Sequence, residues 1–158
     1  MSTNANQLLL ENVRKEWIDY NGHMTDAAYA IVFSKAVDQF MIELGIDSNF
    51  RGEYQYSIYT LETHLCYLKE ACQGQRLFIT IQLLDFDSRR LHVFFVMENE
   101  DGERLATSEQ MLMGIDMNKG LPAPFPQKIL SKIEELSKEQ LILPKPKEAG
   151  SKIGIRRK

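Results

Sequence analysis

Trp17-Ile18-Asp19-Tyr20-Asn21-Gly22-His23-Met24-Thr25-Asp26-Ala27-Ala28-Tyr29 is the stretch on which the fold turns. It joins a short strand candidate, residues 13–18, to a long apolar run through a glycine turn. A junction of this kind sets one carboxylate, Asp19, against the first turn of a helix. The first-turn N–H groups have no acceptor inside the helix and carry partial positive charge. They can hold a carbonyl oxygen that is becoming an oxyanion. A carboxylate facing such donors can attack, or hydrate, an activated acyl group. Asp also forms turns and caps at strand-to-helix junctions, which is the purely structural alternative for Asp19.

Outward from this junction, residues 25–44 read as a helix that Thr25 or Asp26 can cap and Gly45 can end. Its apolar positions (among them Ala28, Tyr29, Ile31, Val32, Phe33, Val37, Phe40 and Leu44) cover most of the circumference. Polar residues keep to a stripe of Lys35, Asp38, Gln39 and Glu43. Such a helix is expected to be largely enclosed. Residues 46–52 read as a polar connection. Strand patterns follow over residues 54–68, 76–86, 89–98 and 104–116, separated by Gln73-Gly74-Gln75, Asp87-Ser88 and Asn99-Glu100-Asp101-Gly102. The short turns predict a meander of antiparallel neighbours. Residues 127–141 read as a short amphipathic helix after Pro122, Pro124 and Pro126. The expectation is an α+β domain, a curved antiparallel sheet wrapped around one long central helix.

The 158 residues, 44% hydrophobic, suffice for one domain with a proper core. A net charge of −3 argues against nucleic acid as partner. No stretch approaches the roughly 20 apolar residues that would span a bilayer, and residues 1–12 lack a signal-peptide pattern. A cytoplasmic location without membrane contact is expected. Cys66 and Cys72, the two cysteines, suit neither a disulfide scaffold nor a zinc site. The expected organisation is a flexible N-terminus (1–12), one domain (13–141) and a basic, solvated tail (142–158). Six Lys/Arg and one Glu lie from Lys145 to Lys158.

Asp19, two residues, Gly22-His23, a hydrophobic residue and then Tyr29 together resemble the signature of the 4-hydroxybenzoyl-CoA-type hot-dog thioesterases. Thr25 and Asp26 stand where that signature carries two Asn. Residues 16–24, with Tyr59-Thr60-Leu61-Glu62-Thr63-His64 and Arg89-Arg90-Leu91-His92, resemble more closely the betainyl-CoA thioesterases of carnitine breakdown, which occur alone or fused to carnitine dehydrogenase. The resemblance covers residues 13–116. It implies a hot-dog fold and hydrolysis of a short acyl-CoA, with betainyl-CoA the leading substrate and aromatic or medium-chain acyl-CoA the alternative. It also implies a homodimer or dimer of dimers with sites between subunits. Coenzyme A enters as part of the substrate, and no cofactor or metal is expected. A non-catalytic acyl-CoA-binding protein of the same fold is the rival from another class.

On this resemblance Asp19 is nucleophile or general base, and His23 either bonds the substrate carbonyl or braces the turn. Gly22 shapes the turn, and a backbone N–H near Asp26 receives the oxyanion. Trp17, two residues before Asp19 on a strand, shares its face. With tyrosines such as Tyr29 and Tyr59 it could cage a trimethylammonium group. Glu62 and His64 are candidates for the acyl pocket, contributed from a partner subunit. Cys66 on the same strand face is a packing residue rather than a nucleophile, and His92 a structural histidine. Arg89 and Arg90, opening a strand beside a tight turn, suit the phosphates of coenzyme A.

Overall fold

The computed structural model describes residues 7–157. Residues 1–6, part of the expected N-terminal arm, and Lys158 lie outside the described residues. The first strand, β1 (Gln7–Asn12), precedes the position where a strand was expected. Residues 13–18 do not form one. Lys15–Trp17 is a 3-10 turn that brings the chain round to the Asp19 junction. β1 buries Leu8 and pairs antiparallel with residues 76–80, from Asn12 opposite Arg76 to Gln7 opposite Thr80. Part of the arm assigned to flexibility is thus an edge strand.

The long helix α1 (Asp26–Leu44) ends at Gly45, whose φ of 98° supplies the left-handed residue that terminates it. The connection that follows is not irregular. Asp47 accepts a hydrogen bond from the Phe50 N–H at 2.8 Å and caps α2 (Ser48–Tyr54). Gly52 inside that helix hides it from a pattern-based reading. The strands β2 (Tyr56–Tyr67), β3 (Arg76–Phe86), β4 (Arg90–Glu98) and β5 (Arg104–Asp116) lie within two residues of the expected bounds. A short β6 (Leu121–Pro122) pairs with β5, and α3 (Gln127–Gln140) follows.

The sheet order is β1-β3-β4-β5-β2. Only β3, β4 and β5 form the meander. β2 lies at the far edge on β5, not beside β3. The turn at Gly74 does not close a hairpin with β2, because its backbone is taken by Val13 (Gly74 N–H to the Val13 carbonyl, 3.1 Å; Val13 N–H to the Gln75 carbonyl, 2.9 Å).

Alternation sends Leu77, Ile79, Ile81 and Leu83 of β3, and Leu91, Val93, Phe95 and Met97 of β4, into one buried cluster with α1. Phe33 of α1 meets Phe95 at 6.2 Å between ring centroids. The hot-dog arrangement, a curved sheet holding a central helix, is therefore present. Enclosure of the helix is incomplete in one chain, since a single sheet covers one side. Ile31 and Ile42 are 46% and 51% exposed on the other.

The C-terminal segment is not a solvated tail along its whole length. The Pro144 carbonyl accepts from Gln82 at 3.3 Å, and Glu148 takes both terminal nitrogens of Arg104 at 2.8 and 3.0 Å. The Gly150 N–H reaches Glu109 at 2.8 Å. The segment crosses the outer face of the sheet, away from α1. Among the described residues, no helix is long and apolar enough to cross a membrane.

Candidate active site

The junction of residues 17–25 folds back on itself before entering α1. Ile18 and Met24 form an isolated antiparallel bridge, the Asp19 N–H bonds the His23 carbonyl at 2.9 Å, and the Thr25 N–H bonds the Trp17 carbonyl at 2.8 Å. Gly22, at φ 80°, makes the reversal possible. Within the loop one carboxylate oxygen of Asp19, Oδ1, accepts from the Asn21 N–H at 2.9 Å and the His23 N–H at 3.4 Å. The second oxygen has no partner among the described residues, so the turn-forming and the chemical readings of Asp19 use different oxygens. The loop is tied down by the Met24 N–H, which bonds the Ala71 carbonyl at 2.8 Å.

At the start of α1, the Asp26 carboxylate accepts from the Ala27 N–H at 2.9 Å, and the Ala28 N–H returns to the Thr25 carbonyl at 3.0 Å. Thr25 occupies the cap position without a side-chain cap bond. The Asp26 N–H has no acceptor among the described residues. It leaves one backbone donor open at the start of the helix.

The connection after β2 walls this site. Tyr29, buried on α1, accepts from the Ala71 N–H at 3.1 Å and donates to the Lys69 carbonyl at 3.4 Å. Burial pushes its phenol above the ordinary range. Tyr67, the last residue of β2, donates to the Asp26 carbonyl at 3.2 Å and packs edge-on against Tyr29, with centroids 5.2 Å apart. His23 faces Glu70, with Nε2 3.3 Å from the carboxylate. Tyr67 and Glu70 escaped sequence reasoning. A tyrosine ending a strand and a glutamate in a loop carry no local signature, and only the long-range packing places them here.

The other expected residues are not gathered at this junction. Trp17 lies in the 3-10 turn rather than on a strand, so it shares no strand face with Asp19. It is 8% exposed, with the Arg14 guanidinium 4.9 Å and the Lys35 ammonium 5.7 Å from its ring centroid. Glu62 and His64 sit opposite Met111 and Glu109 on the outer face of the sheet. There they line a cavity of about 580 Å³ with His92 and Ser151. His92 bonds Glu109 at 2.7 Å, while Cys66 Sγ lies 3.9 Å from His64 Nε2.

Tyr59 pairs across the sheet with Met113, and Met113 with Arg90. This row marks the opposite end of β2 from Tyr67, eight residues or about 26 Å along the strand at roughly 3.3 Å per residue. Arg90 is engaged by Asp87 (Nε to Oδ2, 2.7 Å), and that bond holds the Asp87 carboxyl down to about 2. The Arg89 side chain has no partner among the described residues. No group of three or more His, Cys, Asp or Glu among them could hold a metal ion.

A carboxylate with one open oxygen, in the loop that leads into a helix start with a free N–H, has the groups that an acyl-transfer site requires. Residues 13–133 match the Thioesterase-like superfamily, and the chain belongs to that family. It is 40% identical over 144 residues to betainyl-CoA thioesterase of Pseudomonas aeruginosa, covering 90% of this chain and 91% of that one. It is 35% identical over 152 residues to L-carnitine dehydrogenase/betainyl-CoA thioesterase of Rhizobium meliloti, where it covers 96% of this chain and 30% of the longer protein. A Staphylococcus aureus protein solved in complex with CoA superposes with a TM-score of 0.89 at 35% identity, over 94% of both chains.

Proposed function

We propose that the protein hydrolyses the thioester of a short acyl-CoA, releasing coenzyme A and a carboxylic acid, and that betainyl-CoA is its substrate. What supports the hydrolysis is that one chain junction carries both an Asp19 oxygen left open by the turn and an Asp26 N–H left without an acceptor among the described residues. A thioester carbonyl placed on that N–H acquires a donor for the charge that develops as its carbon is attacked. Asp19 then either attacks the carbon, forming a mixed anhydride that water cleaves, or takes a proton from the attacking water. Both routes consume one water and expel the coenzyme A thiolate. His23, whose Nε2 lies 3.3 Å from the Glu70 carboxylate, adds a second polar side chain to the loop. The choice of acyl group is supported by the 40% identity to a betainyl-CoA thioesterase across nearly the whole chain.

The assembly proposed is a homodimer. The outer edge of β2 is open, with Tyr59 and Leu61 exposed, and the uncovered side of α1 carries Ile31 and Ile42. An unpaired edge of this kind is a template for a second strand. Antiparallel pairing of two β2 strands reverses one against the other. Tyr59, Arg89 and Arg90 of a second copy then approach the Tyr67 end of the first, where Asp19 lies. This arrangement would let Arg89 meet coenzyme A phosphates at a site that needs both chains.

The test is release of free coenzyme A thiol from a panel of acyl-CoA substrates by the purified protein. Betainyl-CoA is expected to show the highest kcat/KM. Absence of thiol release from every member would overturn the proposal.

A further inference from the structure

Tyr67 is the residue to which the geometry points as the aromatic surface that recognises the acyl cation, and we infer that it sets substrate selectivity; the inference rests on the betainyl-CoA reading above. In a betainyl group the nitrogen lies one methylene from the carbonyl, so it sits about 2.5 Å from the scissile carbon, by the same bond lengths that separate N from C within a residue. A ring that holds this cation within about 6 Å of its centroid must therefore stand beside the helix start itself. This constraint removes most of the aromatic residues near the junction. Trp17 is buried with Arg14 and Lys35 already over its ring. Tyr29 is enclosed, and both its hydroxyl contacts are to the backbone of residues 69 and 71. Tyr20 is 97% exposed and has no wall behind its ring.

Tyr67 is the aromatic residue tied directly to the helix start. Its hydroxyl bonds the carbonyl of Asp26, the same residue whose N–H is the oxyanion donor. The residue is 53% exposed. The edge-on contact with Tyr29, at an interplanar angle of 87°, holds the ring in place while engaging at most one of its two faces. Within one chain the surroundings favour a cation, and of the arginines that a second copy brings to this end Arg90 is paired with Asp87 while Arg89 is the one proposed for the coenzyme A phosphates. Asp19 and Asp26 belong to the adjoining junction, and Glu70 follows three residues after Tyr67. The nearest lysine, Lys69, is paired with Glu103. An aromatic face in an acidic neighbourhood suits a quaternary ammonium, which has no N–H to donate and is held by charge and by the ring's quadrupole.

The experiment compares kcat/KM for betainyl-CoA with that for 3,3-dimethylbutyryl-CoA, whose tert-butyl group has nearly the same shape without the charge. It uses the full-length protein and its Tyr67→Leu and Tyr67→Phe variants, with thermal melts to confirm folding. The native protein is expected to prefer the charged substrate. Tyr67→Leu should cut the preference by about 2- to 30-fold, the range for one cation–π contact, through the charged substrate alone. Tyr67→Phe keeps the ring and should retain the preference, although it loses the bond to Asp26. An unchanged ratio in Tyr67→Leu, or an equal loss on both substrates, would show a tether for the helix start and overturn the inference. Equal hydrolysis of both substrates by the native protein would overturn it while leaving thioester hydrolysis standing. No hydrolysis of either would overturn both.

Discussion

Replacing Gly22 by alanine separates the conformational demand of the Asp19 turn from its steric surroundings. Gly22 sits at φ 80°, yet a Cβ built there meets no atom within 4 Å. The substitution therefore creates no clash, and its cost is that of holding an L-residue in the left-handed region, roughly 1–2 kcal/mol. Alanine also loses less backbone entropy on folding than glycine, an opposing effect of about 0.4–1 kcal/mol. The net loss is about 1 kcal/mol. For a domain of this size that corresponds to a fall in Tm of about 2–4 °C. Asparagine, which tolerates this conformation through local hydrogen bonding, should lose less. The two backbone donors to Asp19 flank Gly22 at Asn21 and His23, so a turn that keeps its shape keeps the carboxylate in place. Activity well below Tm is expected to stay within a few-fold of the native value. Thermal melts and initial rates on Gly22→Ala and Gly22→Asn check this. A loss above about 3 kcal/mol would mean the space around Gly22 is not open, and alanine as stable as glycine would mean the turn does not require a positive φ.

Other expectations follow from the same packing. Trp17→Leu should destabilise by about 2–3 kcal/mol, as a buried large-to-small change does, while leaving the ratio of rates on charged and neutral acyl groups unchanged; a selective loss on the charged substrate would return Trp17 to the acyl site. Light scattering should give twice the 18.3 kDa chain mass, and Leu61→Lys on the open β2 edge should shift the protein toward monomer with loss of activity; an active monomer would contradict a shared site. Arg104 holds the Glu148 carboxyl below its usual range. Stability from that pair is present above the unfolded carboxylate pKa of about 4.3 and is lost as pH falls through the lower folded value. Unfolding free energies of native protein and Glu148→Gln, extrapolated from urea, should therefore differ by about 1–2 kcal/mol at pH 7 and converge as the pH falls below the folded value; a gap independent of pH would argue against a docked segment.

The parts of the fold that local chemistry specifies were legible in the sequence. Gly45 ends α1, Asn99 and Gly102 turn β4 into β5, and alternating apolar residues mark β3 and β4. What escaped depends on distant partners. β2 reads as a strand like its neighbours, and nothing in its residues shows that it pairs with β5 instead of β3. The Gln73-Gly74-Gln75 turn looks like a hairpin until Val13 is seen to occupy its backbone. The C-terminal segment reads as solvated because its composition is basic, yet one carboxylate, Glu148, meets Arg104 forty-four residues earlier.

The site divides in the same way. Asp19, Gly22 and Asp26 lie within eight consecutive positions, and their geometry follows from a turn feeding a helix. Trp17 was placed on the face of Asp19 by the period of a strand that is in fact a 3-10 turn. Glu62 and His64 alternate correctly, but toward the outer face of the sheet, because a register shift between Thr60 and Glu62 resets which side each residue takes. Tyr67 and Glu70 join the site only through the packing of the β2–β3 connection against the Asp19 loop.

The most direct measurement is the turnover of Asp19→Asn under saturating acyl-CoA, read as release of the coenzyme A thiol. Asparagine retains an oxygen able to accept the Asn21 and His23 N–H bonds, so the loop and the melting temperature should be preserved. It removes the negative charge that, in the proposed reaction, attacks the thioester or takes the proton from water. A fall in kcat of at least about 100-fold is expected, within the range of about 10²–10⁴ for loss of a general base. A folded Asp19→Asn protein that keeps more than about a tenth of the native kcat would contradict the assignment of Asp19 as the group that drives hydrolysis.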